Sequence, residues 1–227
     1  MLTKFSLSLS ASSTNETKDI DIEPLGMKLI IVTTPTFFVE EHQIINALFE
    51  EGLDILHLRK PETPAMYAER LLSLIPAKYH KQIVTHEHFY LQEECGLMGI
   101  HLNKRNPNIP EDYSGHISCT CRSLTELEVK KRVYDYVFLS PVFDSITNPR
   151  PGAFSTEALQ HATNQHQIDN KVMALGGVRL ENIPLIRDLR FGGAVVMGDL
   201  WNKFNACTAR DYRGIIEYFK RLRKAAD

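Results

Sequence analysis

The chain has 227 residues, of which 43% are hydrophobic and 24% are charged. These values are ordinary for a globular protein and exclude a disordered, collagen-like or highly charged chain. Lys and Arg total 26 against 28 Asp and Glu, so the formal net charge of −2 provides no general basic surface for nucleic acid. No apolar run approaches the roughly 18 residues of a membrane span. We therefore predict neither a nucleic-acid partner nor a membrane partner.

The first 26 residues differ in composition from the rest of the chain. They are rich in Ser and Thr and then acidic, and Phe5, Leu7 and Leu9 are too few apolar positions for a signal-peptide core. The acidic stretch also argues against a transit peptide. We interpret residues 1–26 as a disordered leader, or as residues upstream of a start at Met27, and we predict a cytoplasmic protein.

From Met27 onward, short apolar segments alternate with segments of helical periodicity. The apolar segments predict strands at residues 28–33, 53–59, 82–85, 98–102, 116–120, 136–140, 172–175 and 194–197. Helical spacing and capping signals predict helices at residues 39–51, 63–75, 89–94, 123–132, 156–165, 180–189 and 209–224. Thr63 with Pro64 has the form of a helix start, and Ser123 with Glu126 has the form of a capping box.

The count and order of these elements favour one fold. Buried parallel strands that are connected through helices form a parallel sheet, and eight such units in about 200 residues are typical of the closed (β/α)8 barrel, or TIM barrel. An open doubly wound sheet usually has fewer strands at this length, and no GxGxxG motif follows the first strand. We predict a single TIM barrel over residues 27–227.

The chemistry of a TIM barrel lies at the carboxyl ends of its strands. Here those ends carry mainly cationic, imidazole and hydroxyl groups, with few carboxylates. Gly176 and Gly177 follow the seventh strand, and Met197 and Gly198 follow the eighth. Loops after these two strands often bind phosphate through backbone N–H groups, which glycine lets the anion approach closely. This pattern predicts a phosphate cradle, and the alternative is a tight turn.

Arg59 ends a buried strand and therefore needs a partner. A phosphate group that accepts two hydrogen bonds from the guanidinium is one candidate. An intramolecular salt bridge with Glu87 or Asp54 is the other. The sequence leaves both interpretations open.

Histidines suggest a metal site as a further alternative. His57, His86 and His101 lie on neighbouring strands and could converge, and His86-Glu87-His88 has the His-x-His form. No accompanying Cys, His or Asp residues have the fixed spacing of a metal site, and zinc catalysis requires three committed ligands. A Mg²⁺ ion held by Glu87 and by phosphate oxygens of a substrate fits the residues better.

Six segments together resemble the thiamine phosphate synthase and thiazole tautomerase superfamily. They are LHLRK at 56–60, IVTHE at 83–87, GIHLNKRN at 99–106, DYVFLSPVFDSIT at 135–147, VMALGGV at 172–178 and AVVMGDL at 194–200. The resemblance extends over about residues 27–219, and the fourth segment, DYVFLSPVF followed by S-x-T, is its most specific part. It implies a TIM barrel, in agreement with the strand count.

The resemblance also implies a reaction. In the synthase, a pyrimidine methyl diphosphate loses pyrophosphate, and the nitrogen of a thiazole phosphate captures the resulting cation. Mg²⁺ and basic residues neutralise the leaving group. The matching positions imply a catalytic group of Arg59, His86 and Ser118, metal ligands Glu87 and Asn106, and substrate or phosphate contacts from Ser145, Thr147, Gly176, Gly177, Met197 and Gly198. Further candidate contacts at the carboxyl ends of the strands are His57, Lys60, His101 and Thr120. The implied partners are small phosphorylated heterocycles, and a homo-oligomer is compatible with the sequence.

Three positions depart from the synthase pattern. The usual Arg-Glu-Lys of the second strand is here Arg59-Lys60-Pro61, so the lysine that contacts the diphosphate is missing. The second metal aspartate falls at Asn106, and the lysine after Thr-x-Thr falls at Asn148. Lys60, Lys104 and Arg150 are the candidate replacements for the lost charges.

Three alternatives to synthase activity remain open. A thiazole tautomerase needs a titrating acid or base, often a histidine after the fifth strand, where this chain has Arg122. His57, His86 or His101 would then have to substitute. The second alternative is a non-catalytic binder of a phosphorylated ligand. The third is a metal hydrolase built on His86 and His88.

Overall fold

The computed structural model describes residues 26–144, 154–204 and 212–227. The predicted leader, Ser145, Thr147, Asn148 and Arg150 lie outside these ranges, as does the start of the last predicted helix. Within them, no helix is both long enough and apolar enough to cross a membrane.

Eight parallel strands close into a barrel, which confirms the predicted TIM-barrel fold. They are β1 (Lys28–Val32), β2 (Ile55–Leu58), β3 (Ile83–Thr85), β4 (Gly99–Leu102), β5 (His116–Cys121), β6 (Tyr136–Leu139), β7 (Val172–Leu175) and β8 (Gly193–Val196). Each strand pairs with the next in chain order, and β8 pairs with β1. The strand bounds differ from the predicted ones by at most two residues.

Helices surround the barrel in the order that the sequence predicted. They are α1 (Glu41–Glu50), α2 (Ala65–Ser73), α3 (Leu91–Glu94), α4 (Leu124–Lys130), α5 (Thr156–Asn164), α6 (Ile183–Asp188), α7 (Gly198–Trp201) and α8 (Arg213–Ala226). A 3₁₀ helix at Leu180–Asn182 precedes α6, and another at Ala77–Gln82 follows α2. Neither the 3₁₀ helix at Ala77–Gln82 nor the short α7 was predicted from the sequence.

The two predicted helix starts have different outcomes. The Ser123 hydroxyl accepts a hydrogen bond from the Glu126 N–H at 3.1 Å, which confirms Ser123 as the cap of α4. The second half of the predicted capping box is not formed, because the Glu126 carboxylate accepts from the Arg122 N–H at 2.7 Å instead. The prediction for α2 is wrong by one residue, because Pro64 itself is the cap and the helix begins at Ala65. Thr63 instead donates its hydroxyl to the Lys60 carbonyl at 2.7 Å.

The core has two layers because side chains alternate between the faces of each strand. One set packs between the strands and the helices. The other fills the barrel interior and consists of Ile30, Val32, Ile55, Val84, Tyr136, Phe138, Met173 and Val195. On β2 the inward series runs from apolar Ile55 to His57 and then Arg59. This change from apolar to polar side chains places chemistry-bearing groups at the carboxyl end of the barrel.

Candidate active site

A cavity of about 260 Å³ opens at the carboxyl ends of the strands. Its lining consists of Val32, Arg59, His86, His101, Asn103, Lys104, Arg105, Thr120, Arg122, Phe138, Ser140, Leu175 and Met197. The structure therefore brings together the predicted residues Arg59, His86, His101, Thr120 and Met197. Arg59, His86, His101 and Thr120 lie on strands β2 to β5 or directly after them. The polar groups are therefore concentrated on one side of the cavity opening.

Four cationic side chains line this cavity, namely Arg59, Lys104, Arg105 and Arg122. Arg59 is half-buried, and its guanidinium has no ion-pair partner among the described residues. The salt bridges considered for it from the sequence are made by other arginines. Glu87 pairs with Arg105 at 2.5 Å, and Asp54 pairs with Arg223 at 2.5 Å. Burial and the nearby charge of Arg105 lower the pKa of Arg59.

The loop after β4 fixes Arg105 at the edge of the cavity. The side-chain oxygen of Asn103 accepts hydrogen bonds from the backbone N–H groups of Arg105 at 2.9 Å and Asn106 at 3.2 Å. The side-chain amide of Asn103 donates to the His86 carbonyl at 2.9 Å, which ties this loop to β3. Both residues lie in the GIHLNKRN segment, but their spacing did not indicate that Asn103 positions Arg105.

Beneath the rim, buried polar side chains form a hydrogen-bonded network. His57 Nδ1 lies 2.9 Å from His86 Nε2, and His57 Nε2 lies 2.6 Å from the Tyr136 hydroxyl. His101 Nδ1 lies 2.9 Å from the Ser118 hydroxyl, and its Nε2 lies 3.0 Å from the Thr120 hydroxyl. His57 and Ser118 are fully buried and do not line the cavity, so they reach it only through their neighbours.

Burial keeps these imidazoles uncharged. It lowers the pKa of His57 and of His86 well below the ordinary value, and it lowers the pKa of His101 to about 3. The charges of Arg59 and Arg105 lower the pKa of His86 further. Neutral imidazoles each offer one donor and one acceptor, which is what the network uses.

The three histidines converge, as the metal hypothesis required, but their geometry favours hydrogen bonding. Their nearest ring nitrogens lie within 4.8 Å of one another. The rings of His86 and His101 are stacked, with centroids 4.3 Å apart and planes at 20°. Imidazole lone pairs lie in the plane of the ring, so two stacked rings do not direct them at one ion. Both nitrogens of His57 are already hydrogen-bonded.

The predicted magnesium ligands do not fit a magnesium site. One oxygen of Glu87 contacts Arg105, and the other accepts from the Lys60 N–H at 2.9 Å. The Asn106 side-chain amide donates to the His86 carbonyl at 3.0 Å. Magnesium sites in proteins use one or two available carboxylates together with phosphate oxygens. The cavity lining within the described residues contains no carboxylate.

Lys60 was predicted from the sequence to contact phosphate, but its side chain points away from the cavity. Its ammonium is buried and pairs with Glu41 at 2.5 Å, donates to the Thr36 carbonyl at 2.9 Å and lies 4.4 Å from the Phe37 ring centroid. It does not line the cavity. The prediction that Lys60 contacts phosphate or replaces a lost lysine is therefore wrong, because its charge is committed to α1.

The Gly176-Gly177 pair is explained first by close packing within the chain. Both residues have positive φ angles, +95° and +63°. A Cβ at Gly176 would lie 2.8 Å from Pro141 Cα, and one at Gly177 would lie 2.4 Å from the Asp144 carbonyl oxygen. The tight-turn interpretation is thus supported. Gly198 begins α7, and Met197 lines the cavity. The phosphate cradle that these residues were predicted to form stays a prediction.

One residue of the network, Tyr136, was missed by sequence reasoning. It is an inward residue at the start of β6, and its hydroxyl meets His57 inside the barrel. The alternation of side chains along β6 could have identified Tyr136, since Tyr136 and Phe138 share the face that points into the barrel.

The barrel with this polar mouth defines the chain as a TIM-barrel enzyme. Residues 29–200 match a family model described as thiamine monophosphate synthase, and the chain belongs to this family. The family is one of transferases.

One relative and two solved structures show how far this similarity extends. A thiamine-phosphate synthase of Dictyoglomus turgidum is 24% identical over 156 residues, which cover 64% of this chain and 69% of that protein. The crystal structure of a thiamine phosphate pyrophosphorylase from Bacteroides thetaiotaomicron is 63% identical, with a TM-score of 0.83, and covers 88% of this chain and 98% of its own. A thiamine phosphate pyrophosphorylase from Pyrococcus furiosus shares 18% identity with a TM-score of 0.65, which shows the fold alone.

Proposed function

We propose that this chain joins a pyrimidine methyl diphosphate to a thiazole phosphate and releases pyrophosphate, which yields thiamine phosphate. The observation that carries the proposal is the group of four cationic side chains at a cavity whose lining, among the described residues, contains no carboxylate. Such a group suits two phosphorylated substrates, because the reaction needs charge stabilisation at the leaving pyrophosphate rather than a strong base. Family membership supports the same reaction.

The residues divide this task between rim and floor. Arg59 presents a guanidinium whose paired N–H groups match two oxygens of a diphosphate. Lys104, Arg105 and Arg122 supply positive charge that the missing family lysines would otherwise provide. His86 and Thr120 offer hydrogen bonds to a heterocycle, and His57 holds His86 from below. His101 holds Thr120, because its two ring nitrogens are hydrogen-bonded to Ser118 and Thr120. Ser145 and Thr147 remain proposed contacts of the thiazole phosphate, and Gly176, Gly177, Met197 and Gly198 a proposed phosphate cradle.

A coupling assay tests the proposal directly. Purified protein receives both substrates, with Mg²⁺ in one series and EDTA in another, and thiamine phosphate is detected by chromatography. Wild-type protein is expected to form product. Arg59→Ala is expected to lose roughly 10–150-fold in kcat/KM, since a hydrogen bond to a charged group contributes about 1.5–3 kcal/mol. Lys220→Ala serves as control, because Lys220 is an α8 cation paired with Glu51 and Glu217.

A proton-transfer reaction on a thiazole phosphate is the second candidate. The hydrogen-bonded pair of His86 and His57 favours it, because His86 faces the cavity and a general acid or base must lie within reach of the substrate. Exchange of a thiazole proton with D₂O, followed by NMR, distinguishes the two functions. Exchange without coupling, lost in His86→Gln, would replace the synthase proposal. Binding of both ligands without exchange or coupling would indicate a non-catalytic binder.

A further inference from the structure

Both oxygens of the Glu87 carboxylate, which lies beside the cavity, accept hydrogen bonds from the protein. Glu87 Oε1 lies 2.5 Å from the Arg105 guanidinium, and Glu87 Oε2 accepts from the Lys60 N–H at 2.9 Å. Only 11% of the Glu87 side chain is exposed. A divalent ion at Oε1 would compete with the Arg105 guanidinium, and one at Oε2 would compete with the Lys60 N–H. Glu87 is thus built as the partner of an arginine.

Asn106, the other candidate ligand, is held in the same way. Its backbone N–H donates to the Asn103 side chain, and its side-chain amide donates to the His86 carbonyl. The one remaining oxygen of its amide is uncharged. A single neutral oxygen is a poor substitute for the carboxylates on which Mg²⁺ depends.

Positive charge is instead abundant at the same place. Arg59 and Arg105 both line the cavity. Burial lowers the pKa of Arg59, the charge of Arg105 lowers it further, and Glu87, which pairs with Arg105, acts to raise it. The Arg59 guanidinium has no ion-pair partner among the described residues, so an anion in this cavity would neutralise its charge. Guanidinium groups bind phosphate through paired hydrogen bonds without help from a metal.

We propose that this chain holds the phosphate or diphosphate of its ligand directly between Arg59 and Arg105, without a divalent cation. Glu87 then acts as a positioning residue that orients Arg105. The inference rests on the proposed function in one respect, namely that the ligand carries a phosphate or diphosphate group. It departs from the magnesium requirement that the family resemblance implies, because arginine side chains take over the neutralisation of charge.

Isothermal titration calorimetry with inorganic pyrophosphate tests this proposal. The protein is freed of metal with EDTA and titrated in EDTA and, separately, in excess Mg²⁺. The dissociation constant in EDTA is expected to lie within about threefold of the value in Mg²⁺. Arg59→Ala and Arg105→Ala are each expected to weaken binding in EDTA at least about tenfold, whereas Lys220→Ala leaves it unchanged. Circular dichroism verifies that each variant is folded.

Glu87→Gln separates the two roles of this carboxylate. As a positioning residue, its replacement should weaken pyrophosphate binding in EDTA by no more than about fivefold, and Mg²⁺ should not change this. Binding that is at least tenfold tighter in Mg²⁺, with the gain lost in Glu87→Gln, would overturn the proposal. Failure to bind pyrophosphate in either buffer would overturn it as well. Metal-free binding without product in the coupling assay would instead refute the synthase reaction and leave the arginine site intact.

Discussion

Replacing Lys60 with methionine is expected to destabilise the protein strongly and in a pH-dependent way. Lys60 and Glu41 are each only 1% exposed at the side chain, and their charged groups lie 2.5 Å apart. Lys60 also donates to the Thr36 carbonyl, so the pair joins the end of β2 to α1 and to the loop before it. Methionine has a similar length and fills the space but cannot carry the charge.

The magnitude follows from the burial of the carboxylate that is left behind. Breaking a buried pair by removing one partner costs about 3–5 kcal/mol, because the other charge stays uncompensated. For a protein of this size, such a loss lowers the melting temperature by roughly 6–20 °C. The second oxygen of Glu41 has no hydrogen-bond partner among the described residues, so the Lys60 ammonium is the main compensation for this carboxylate.

The pH dependence follows from the sign of the pKa shift. Burial raises the pKa of Glu41 to about 7, although Lys60 acts to lower it. A carboxyl whose pKa is raised by folding favours the folded state below its unfolded pKa and loses this contribution as pH rises through the folded pKa. Without Lys60 the pKa of Glu41 rises further. The loss of stability in Lys60→Met is therefore expected to be larger at pH 8 than at pH 5.

Thermal and urea unfolding, followed by circular dichroism at both pH values, measure these effects. The double variant Glu41→Gln/Lys60→Met is the matched control, because it removes both charges and is expected to recover most of the lost stability. The reasoning would be refuted if Lys60→Met stayed within about 1 kcal/mol of wild type at pH 8, or if the double variant were no more stable than Lys60→Met.

Three further predictions concern the architecture around the site. Gly177→Ala is expected to cost about 2–3 kcal/mol more than Gly96→Ala in urea unfolding, because both have positive φ but only Gly177 lacks space for a Cβ; equal losses would contradict this. Tyr136→Phe is expected to lower stability by about 1–3 kcal/mol, since His57 loses a buried partner, and an unchanged urea midpoint would argue against that hydrogen bond. Ser123→Ala is expected to cost about 1 kcal/mol through loss of the α4 cap, and Ser123→Asp should restore it.

The barrel could be predicted from sequence because its signals are local. Buried parallel strands are short continuous apolar runs, and the alternation of such runs with amphipathic helices counts the units directly. The α4 cap was also predictable, because Ser123 and Glu126 interact within one turn. The 3₁₀ helix at Ala77–Gln82 was missed, since its six residues carry no apolar periodicity and none of them is buried.

The candidate site was predictable only as a location. The rule that chemistry lies at the carboxyl ends of strands selected Arg59, His86, His101 and Thr120, and all four line the cavity. Their partners could not be deduced, because each partner comes from a different strand or loop. His57 meets Tyr136 across 79 residues of sequence.

Sequence alone thus determined the number and order of the strands and the end of the barrel that carries the polar groups. The tertiary structure decided which partner each charged side chain contacts. Lys60 follows Arg59 directly, yet successive side chains leave a strand in opposite directions, so Arg59 lines the cavity and Lys60 is buried against Glu41. Likewise, Glu87 contacts Arg105 because β3 pairs with β4, which places the loop after β4 beside the end of β3. The pairing of charges depends on the distance between them in space, and the separation of two residues in the sequence does not determine this distance.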